Sequence, residues 1–127
     1  KLKPAILKKK IIICDRFYDS TLAYQVYGGG VDESFVDFAH KKILGNIKPD
    51  LTFILKLNLT KAFQRVSGRK NQNRYDKFPK KFYHEVQKSF RKIAKTNKTR
   101  CIVLDTSKDT METEMIIFKK FIEVLNR

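Results

Sequence analysis

Ile11-Ile12-Ile13-Cys14-Asp15-Arg16-Phe17-Tyr18-Asp19-Ser20-Thr21-Leu22-Ala23-Tyr24-Gln25 is the most informative stretch of the chain. Its first residues are apolar without a break and stop at an aspartate-arginine pair. A short run that is apolar on both faces and rich in β-branched residues suits a parallel strand covered by helices on either side. Ligands of open α/β sheets bind beyond the carboxyl ends of the strands, so Asp15 and Arg16 are expected where a ligand would meet them. The carboxylate suits a metal ion's water shell and the planar guanidinium suits a phosphate. A local structural ion pair accounts for the same two residues. Phe17, Tyr18, Tyr24 and Tyr27, with Gln25, follow directly. A ring can stack on a base and an amide can match its hydrogen-bonding edge, although core packing explains the rings too.

Working outward, Leu51–Leu57 after Pro49-Asp50 and Cys101–Leu104 before Asp105-Thr106-Ser107 are expected as two further strands. Residues 2–9 are too short and mixed to assign. Helices are expected over Asp19–Gln25, Asp32–Leu44, Thr60–Val66, Lys80–Ala94 and Asp109–Leu125. In the second, Phe35, Val36, Ala39, Ile43 and Leu44 suggest an apolar face and Gly45 a stop. Thr60 is a candidate N-cap, and Asp109 with Glu112 stands at capping-box spacing. Phe82, Val86, Phe90 and Ile93 fall at helical intervals. Residues 67–78 are polar and basic. Arg65, Arg69 and Arg74 lie in or beside that segment, where guanidinium groups on a mobile loop could close over a phosphoryl group. A solvated charged loop is the plainer alternative. His40 and His84 lie away from these clusters and are expected to be non-catalytic. Strands alternating with helices imply one α/β domain over residues 1–127 with a parallel sheet.

The 127 residues carry 28 Lys+Arg against 13 Asp+Glu, a net charge of +15, and are 42% hydrophobic. That supports one globular domain and argues against a disordered tail. The lysines are scattered, with no arginine-rich arm and no zinc-finger spacing, so a lysine-rich solvated surface is the plainer reading, and the alternative is an attraction for anionic ligands of any size, nucleotide or nucleic acid. No run of about 18 apolar residues is present to span a membrane. Cys14 and Cys101 border apolar runs and are expected to be free, buried thiols, which fits a reducing, cytoplasmic compartment. Lys1 and the absence of a signal-like start suggest a piece of a longer, unsecreted chain.

Taken together, the pieces resemble bacterial thymidylate kinases. The strand running into Asp15-Arg16-Phe17 and then Ser20-Thr21-Leu22-Ala23-Tyr24-Gln25 resembles the family signature Asp-Arg-Tyr followed by Ser-x-x-Ala-Tyr-Gln. Pro49-Asp50-Leu51-Thr52 resembles the entry to its next strand. Arg65, Arg69 and Arg74 resemble arginines leading into and across a lid, about residues 67–78, and Phe82 to Phe90 resembles the helix after it.

The resemblance implies a P-loop NTPase-like, three-layer α/β fold and transfer of the γ-phosphoryl group of ATP to dTMP with Mg²⁺. It implies that Arg16 holds the dTMP phosphate, that Asp15 lies near the metal through water, and that Phe17 packs near the deoxyribose. Ser20, Thr21, Tyr24 and Gln25 would line the thymine side. Arg69 and Arg74, with Arg65, would clamp ATP phosphates, and the segment from Asp105 through Ser107 to Lys108 would border the adenine. A homodimer is implied as well, with no nucleic-acid or membrane partner.

Some positions depart from the pattern. Phe17 replaces the usual Tyr, Val26 the usual Gly, Lys56 the usual Asp of Leu-Asp-Val, and Asn73-Arg74-Tyr75-Asp76 the commoner Asp-Arg-x-Glu. No G-x-x-x-x-G-K-[ST] segment occurs, since the glycines at 28, 29, 30, 45 and 68 lack the following Lys-Ser/Thr. The chain is therefore expected to be the C-terminal part of such an enzyme, with an incomplete sheet and no activity alone. The alternatives are another nucleoside-monophosphate kinase, a basic nucleic-acid-binding module, or an inactive remnant.

Overall fold

The structure, a computed structural model, describes residues 2–68, 78–107 and 110–126. Its sheet has two parallel strands, β1 (Thr52–Lys56) and β2 (Cys101–Asp105), in register from Thr52 opposite Cys101 to Lys56 opposite Asp105. The pairing extends past both ends, where Thr52 N donates to Arg100 O at 2.7 Å and Thr106 N donates to Lys56 O at 2.8 Å. Two strands of the expected three are thus present, and they make an incomplete α/β fold.

The third expected strand, Ile11–Cys14, does not form. The run carries no strand pairing, and Ile13 is 88% exposed. A strand exists only by exchanging backbone hydrogen bonds with a neighbour, and no such exchange is formed by this run among the described residues. Cys14 is exposed as a result, contrary to the expected buried thiol, whereas Cys101 is buried and both are free. Burial raises the Cys101 thiol pKa.

The helices follow the sequence pattern more closely. Residues 2–7, unassigned from sequence, form a short α1 (Leu2–Leu7). The expected single helix from Asp19 is split into α2 (Tyr18–Thr21) and a π-helical turn, Leu22–Tyr27. In α3 (Glu33–Leu44) the N-cap is Asp32, whose carboxylate accepts from Phe35 N at 2.9 Å and also from the Ser34 hydroxyl. Those bonds, the hydroxyl first, hold the Asp32 carboxyl below its ordinary pKa. Gly45 ends the helix at φ 69°, a conformation glycine adopts freely.

The buried face of α3 differs from the expected one. Phe35 is 63% and Ile43 67% exposed, while Val36 is buried and His40 and Leu44, each one step of four further on, are half-buried. Helix α4 (Leu59–Ser67) starts one residue earlier than expected, and its cap is Asn58 rather than Thr60. The Asn58 side chain accepts from Thr60 N at 2.9 Å. Helix α5 (Lys80–Thr96) buries Val86, Ser89, Ile93 and Ala94, and α6 (Thr110–Leu125) buries none of its residues. Asp109, the expected cap of α6, lies outside the described residues.

One core joins these pieces. Leu22, Ala23 and Val26 of the π turn meet Val86, Ile93 and Ala94 of α5 above Ile54 and Cys101 of the sheet. The approach is closest at Gly28, where a Cβ would lie 2.8 Å from the Phe82 ring and 3.0 Å from both Tyr24 O and Val86. Gly28→Ala is therefore expected to destabilise the chain by about 1–3 kcal/mol through overpacking. A urea titration with an unshifted midpoint would contradict this packing.

Candidate functional site

The exposed run Ile11–Cys14 leads to Arg16, which has φ 65°. This left-handed conformation is uncommon for a residue with a Cβ, and such strain concentrates at functional sites. Phe17 is extended again, and its carbonyl accepts from Ser20 N at 2.9 Å as α2 begins. The reversal at Arg16 thus turns the chain from an extended run directly into the helical segment.

That turn opens a cleft of about 330 Å³. Arg16, Phe17, Ser20 and Thr21 line one part of it, and Tyr24 and Gln25 project into it from the π turn. The Arg16 guanidinium carbon lies 5.0 Å from the centre of the Tyr24 ring, within range for a cation–π contact. The π turn sends Leu22, Ala23 and Val26 into the core while leaving Tyr24 and Gln25 at the cleft. Val26, where a glycine was the expected residue, is a buried core position. Among the described non-glycine residues, positive φ is confined to Lys9 and Arg16, so the valine introduces no such strain.

Sequence reading missed the wall supplied by α3. His40 and Leu44 line the same cleft, so His40 does not lie apart from the aromatic cluster. Its ring is 4.2 Å from that of Tyr18 and 5.6 Å, edge-on, from that of Phe17. Its Nε2 is buried without a hydrogen-bond partner. The Tyr18 hydroxyl donates to Asp37, also on α3. The spacing Val36, His40, Leu44 was the available signal, hidden because His40 is not apolar. Tyr27 does not join the cleft. Its hydroxyl donates to the Glu33 carboxylate at 3.1 Å, and Lys92 Nζ lies 4.7 Å from its ring centre.

The other expected site residues are more dispersed. Asp15 is exposed and does not line the cleft. Among the described residues, no group of three His, Cys, Asp or Glu side chains stands close enough to hold a metal. Asp105 accepts from Ser107 N at 2.9 Å in a local turn after β2. Arg65 falls in α4, but its side chain, with Arg69, Arg74 and residues 69–77 of the expected lid, lies outside the described residues. A second cavity of about 750 Å³ lies beyond the end of β1, where Lys56, Lys80, His84 and Arg91 are among its lining residues. Among the described residues, no carboxylate lines it.

A family model described as thymidylate kinase matches residues 1–117. The chain belongs to the thymidylate kinase family. It is 38% identical over 117 residues to a thymidylate kinase of Ehrlichia chaffeensis, covering 92% of this chain and 55% of that protein. It is 43% identical over 102 residues to one from Wolbachia pipientis wMel, covering 80% of this chain and 50% of that protein. The crystal structure of thymidylate kinase from Ehrlichia chaffeensis superposes with a TM-score of 0.62 at 36% identity, over 86% of this chain and 47% of that one. The chain spans about half the length of the relatives it matches, and its incomplete α/β architecture is that of the P-loop NTPase fold. No helix among the described residues is long and apolar enough to cross a membrane.

Proposed function

We propose that the protein containing this chain phosphorylates dTMP to dTDP with ATP, and that the cleft at Arg16 is the dTMP site. The observation that carries this reading is the gathering of Arg16, Phe17, Ser20, Thr21, Tyr24 and Gln25 around one cavity. Arg16 supplies a fork for the 5′-phosphate, Phe17 an apolar surface for the sugar, and Tyr24 with Gln25 a ring and an amide for the base. Arg65, Arg69 and Arg74 take the ATP phosphates, and Asp105 with Ser107 borders the adenine. The cationic second cavity at the end of β1 adds a favourable field for a polyphosphate.

Mg²⁺ fits this chain only in a limited way. Asp15 is a single exposed carboxylate, suited to a hydrated ion carried in on substrate phosphates and not to a protein cage. When bound, Mg²⁺ would neutralise charge on the transferring phosphoryl group. The chain's own contribution is to orient dTMP and balance its phosphate. A cytoplasmic homodimer completes the reading, with exposed Phe35, Phe38 and Ile43 on α3 as apolar surface for it.

The test is ligand-observed NMR on the 127-residue chain with dTMP, dUMP, AMP and duplex DNA. Selective dTMP binding is expected. Preference for AMP would favour another monophosphate kinase, and tight, steeply salt-dependent duplex binding would favour the nucleic-acid module. Because these 127 residues contain no P-loop segment, no dTDP formation is expected from them alone. Measurable turnover would overturn that part of the proposal.

A further inference from the structure

Helix α2 is a single turn that continues without a break into the π turn at Leu22. Its one buried residue is Asp19, which is 5% exposed. Arg100 grips that carboxylate with both arms of its guanidinium, Nη1 to Oδ2 at 2.7 Å and Nη2 to Oδ1 at 2.8 Å. Arg100 Nη1 also donates to Thr52 Oγ1 at 3.1 Å, and Thr52 Oγ1 donates to Asp19 Oδ2 at 3.4 Å. The hydrogen bonds to Asp19 raise the Arg100 pKa above its ordinary value. The backbone of Arg100 is itself fixed to the sheet, since its carbonyl accepts from Thr52 N at 2.7 Å.

The two halves of the cleft are therefore held by different means. The π turn carrying Tyr24 and Gln25 is anchored by Leu22, Ala23 and Val26 in the core. The segment carrying Arg16, Phe17 and Ser20 is held by Tyr18, which packs at the core's edge and donates to Asp37, and by the clamp on Asp19, the one buried residue of α2. We propose that Arg100 is a positioning residue which, through Asp19, sets where Arg16 meets the phosphate of the bound nucleotide. This rests on the assignment of the cleft to dTMP. Weakening the clamp shifts the phosphate side of the cleft and leaves the base side in place.

The experiment compares dTMP with thymidine, which lacks the phosphate, by ligand-observed NMR on the 127-residue chain. Arg100→Lys keeps the charge and loses the two-pronged geometry. It is expected to weaken dTMP binding about tenfold while changing thymidine binding less than about twofold, at a temperature where circular dichroism reports a folded chain. Ile93→Val, which trims the core and leaves both clamp side chains in place, is the control. It should lower stability and leave the dTMP-to-thymidine ratio unchanged. If Arg100→Lys does not fold, Asp19→Glu carries the same expectation. A parent chain that binds dTMP no better than thymidine overturns the cleft assignment itself. A parent that prefers dTMP, with a variant whose ratio is unchanged or whose two affinities fall together, overturns the positioning role.

Discussion

Replacing Arg16 with glycine is expected to weaken dTMP binding about 100-fold while leaving the melting temperature almost unmoved. The affinity loss follows from removing charge-assisted hydrogen bonds to a phosphate, about 1.5–3 kcal/mol, where tenfold corresponds to about 1.4 kcal/mol. The stability balance is closer. Arg16 has φ 65°, where a side chain costs roughly 1–2 kcal/mol that glycine does not incur. Glycine in turn widens the unfolded ensemble by about 0.4–1 kcal/mol, so the two effects largely offset. Arg16→Lys should retain part of the affinity, since a point charge attracts the phosphate without matching its two oxygens. NMR titration and thermal circular dichroism on the same samples separate the outcomes. Retained dTMP affinity in the glycine variant would remove Arg16 from the site, and a large fall in melting temperature would show that its backbone conformation is not strained.

The second large effect concerns the core. Ile93→Ala is expected to destabilise the chain by about 2–5 kcal/mol, because Ile93 is 4% exposed and its neighbours in α5, the π turn and the sheet can only partly close the gap. A chain this small has roughly 0.05–0.15 kcal/mol of stability per residue, and here several large apolar residues remain outside the core. The substitution should therefore lower the melting temperature by about 10 °C or more, or leave the chain largely unfolded. Met115→Ala on α6, where the side chain is largely exposed, is expected to stay within about 0.5 kcal/mol. Equal urea midpoints for the two variants would contradict the position of the core.

What could be read in advance was periodic or local. The parallel pairing of the strands at 52–56 and 101–105 and the extents of α3 and α5 followed from apolar runs, spacing and stop signals. Ile11–Cys14 misled because an apolar run states that a segment wants a strand neighbour, not that one is there. Phe35 and Ile43 misled in a similar way, since hydrophobicity does not say which face of α3 meets the core. Within the site, Arg16 and its neighbours were legible as a contiguous motif. His40 was not, because its place in the wall depends on how α3 is rotated against Phe17 and Tyr18. Nor was Arg100, because no local pattern ties it to Asp19 across 81 residues.

That separation has a consequence for biogenesis. With Arg100 81 residues downstream of Asp19, a chain emerging at about 5–20 residues per second carries the first half of the pocket for roughly 4–16 s before its clamp exists. Nascent chains interrupted before residue 100 would retain the aspartate-arginine motif and still offer no ordered receptor for nucleotide. On the proposed reading, competence for the small molecule is acquired only when β2 arrives and closes the 81-residue loop between Asp19 and Arg100.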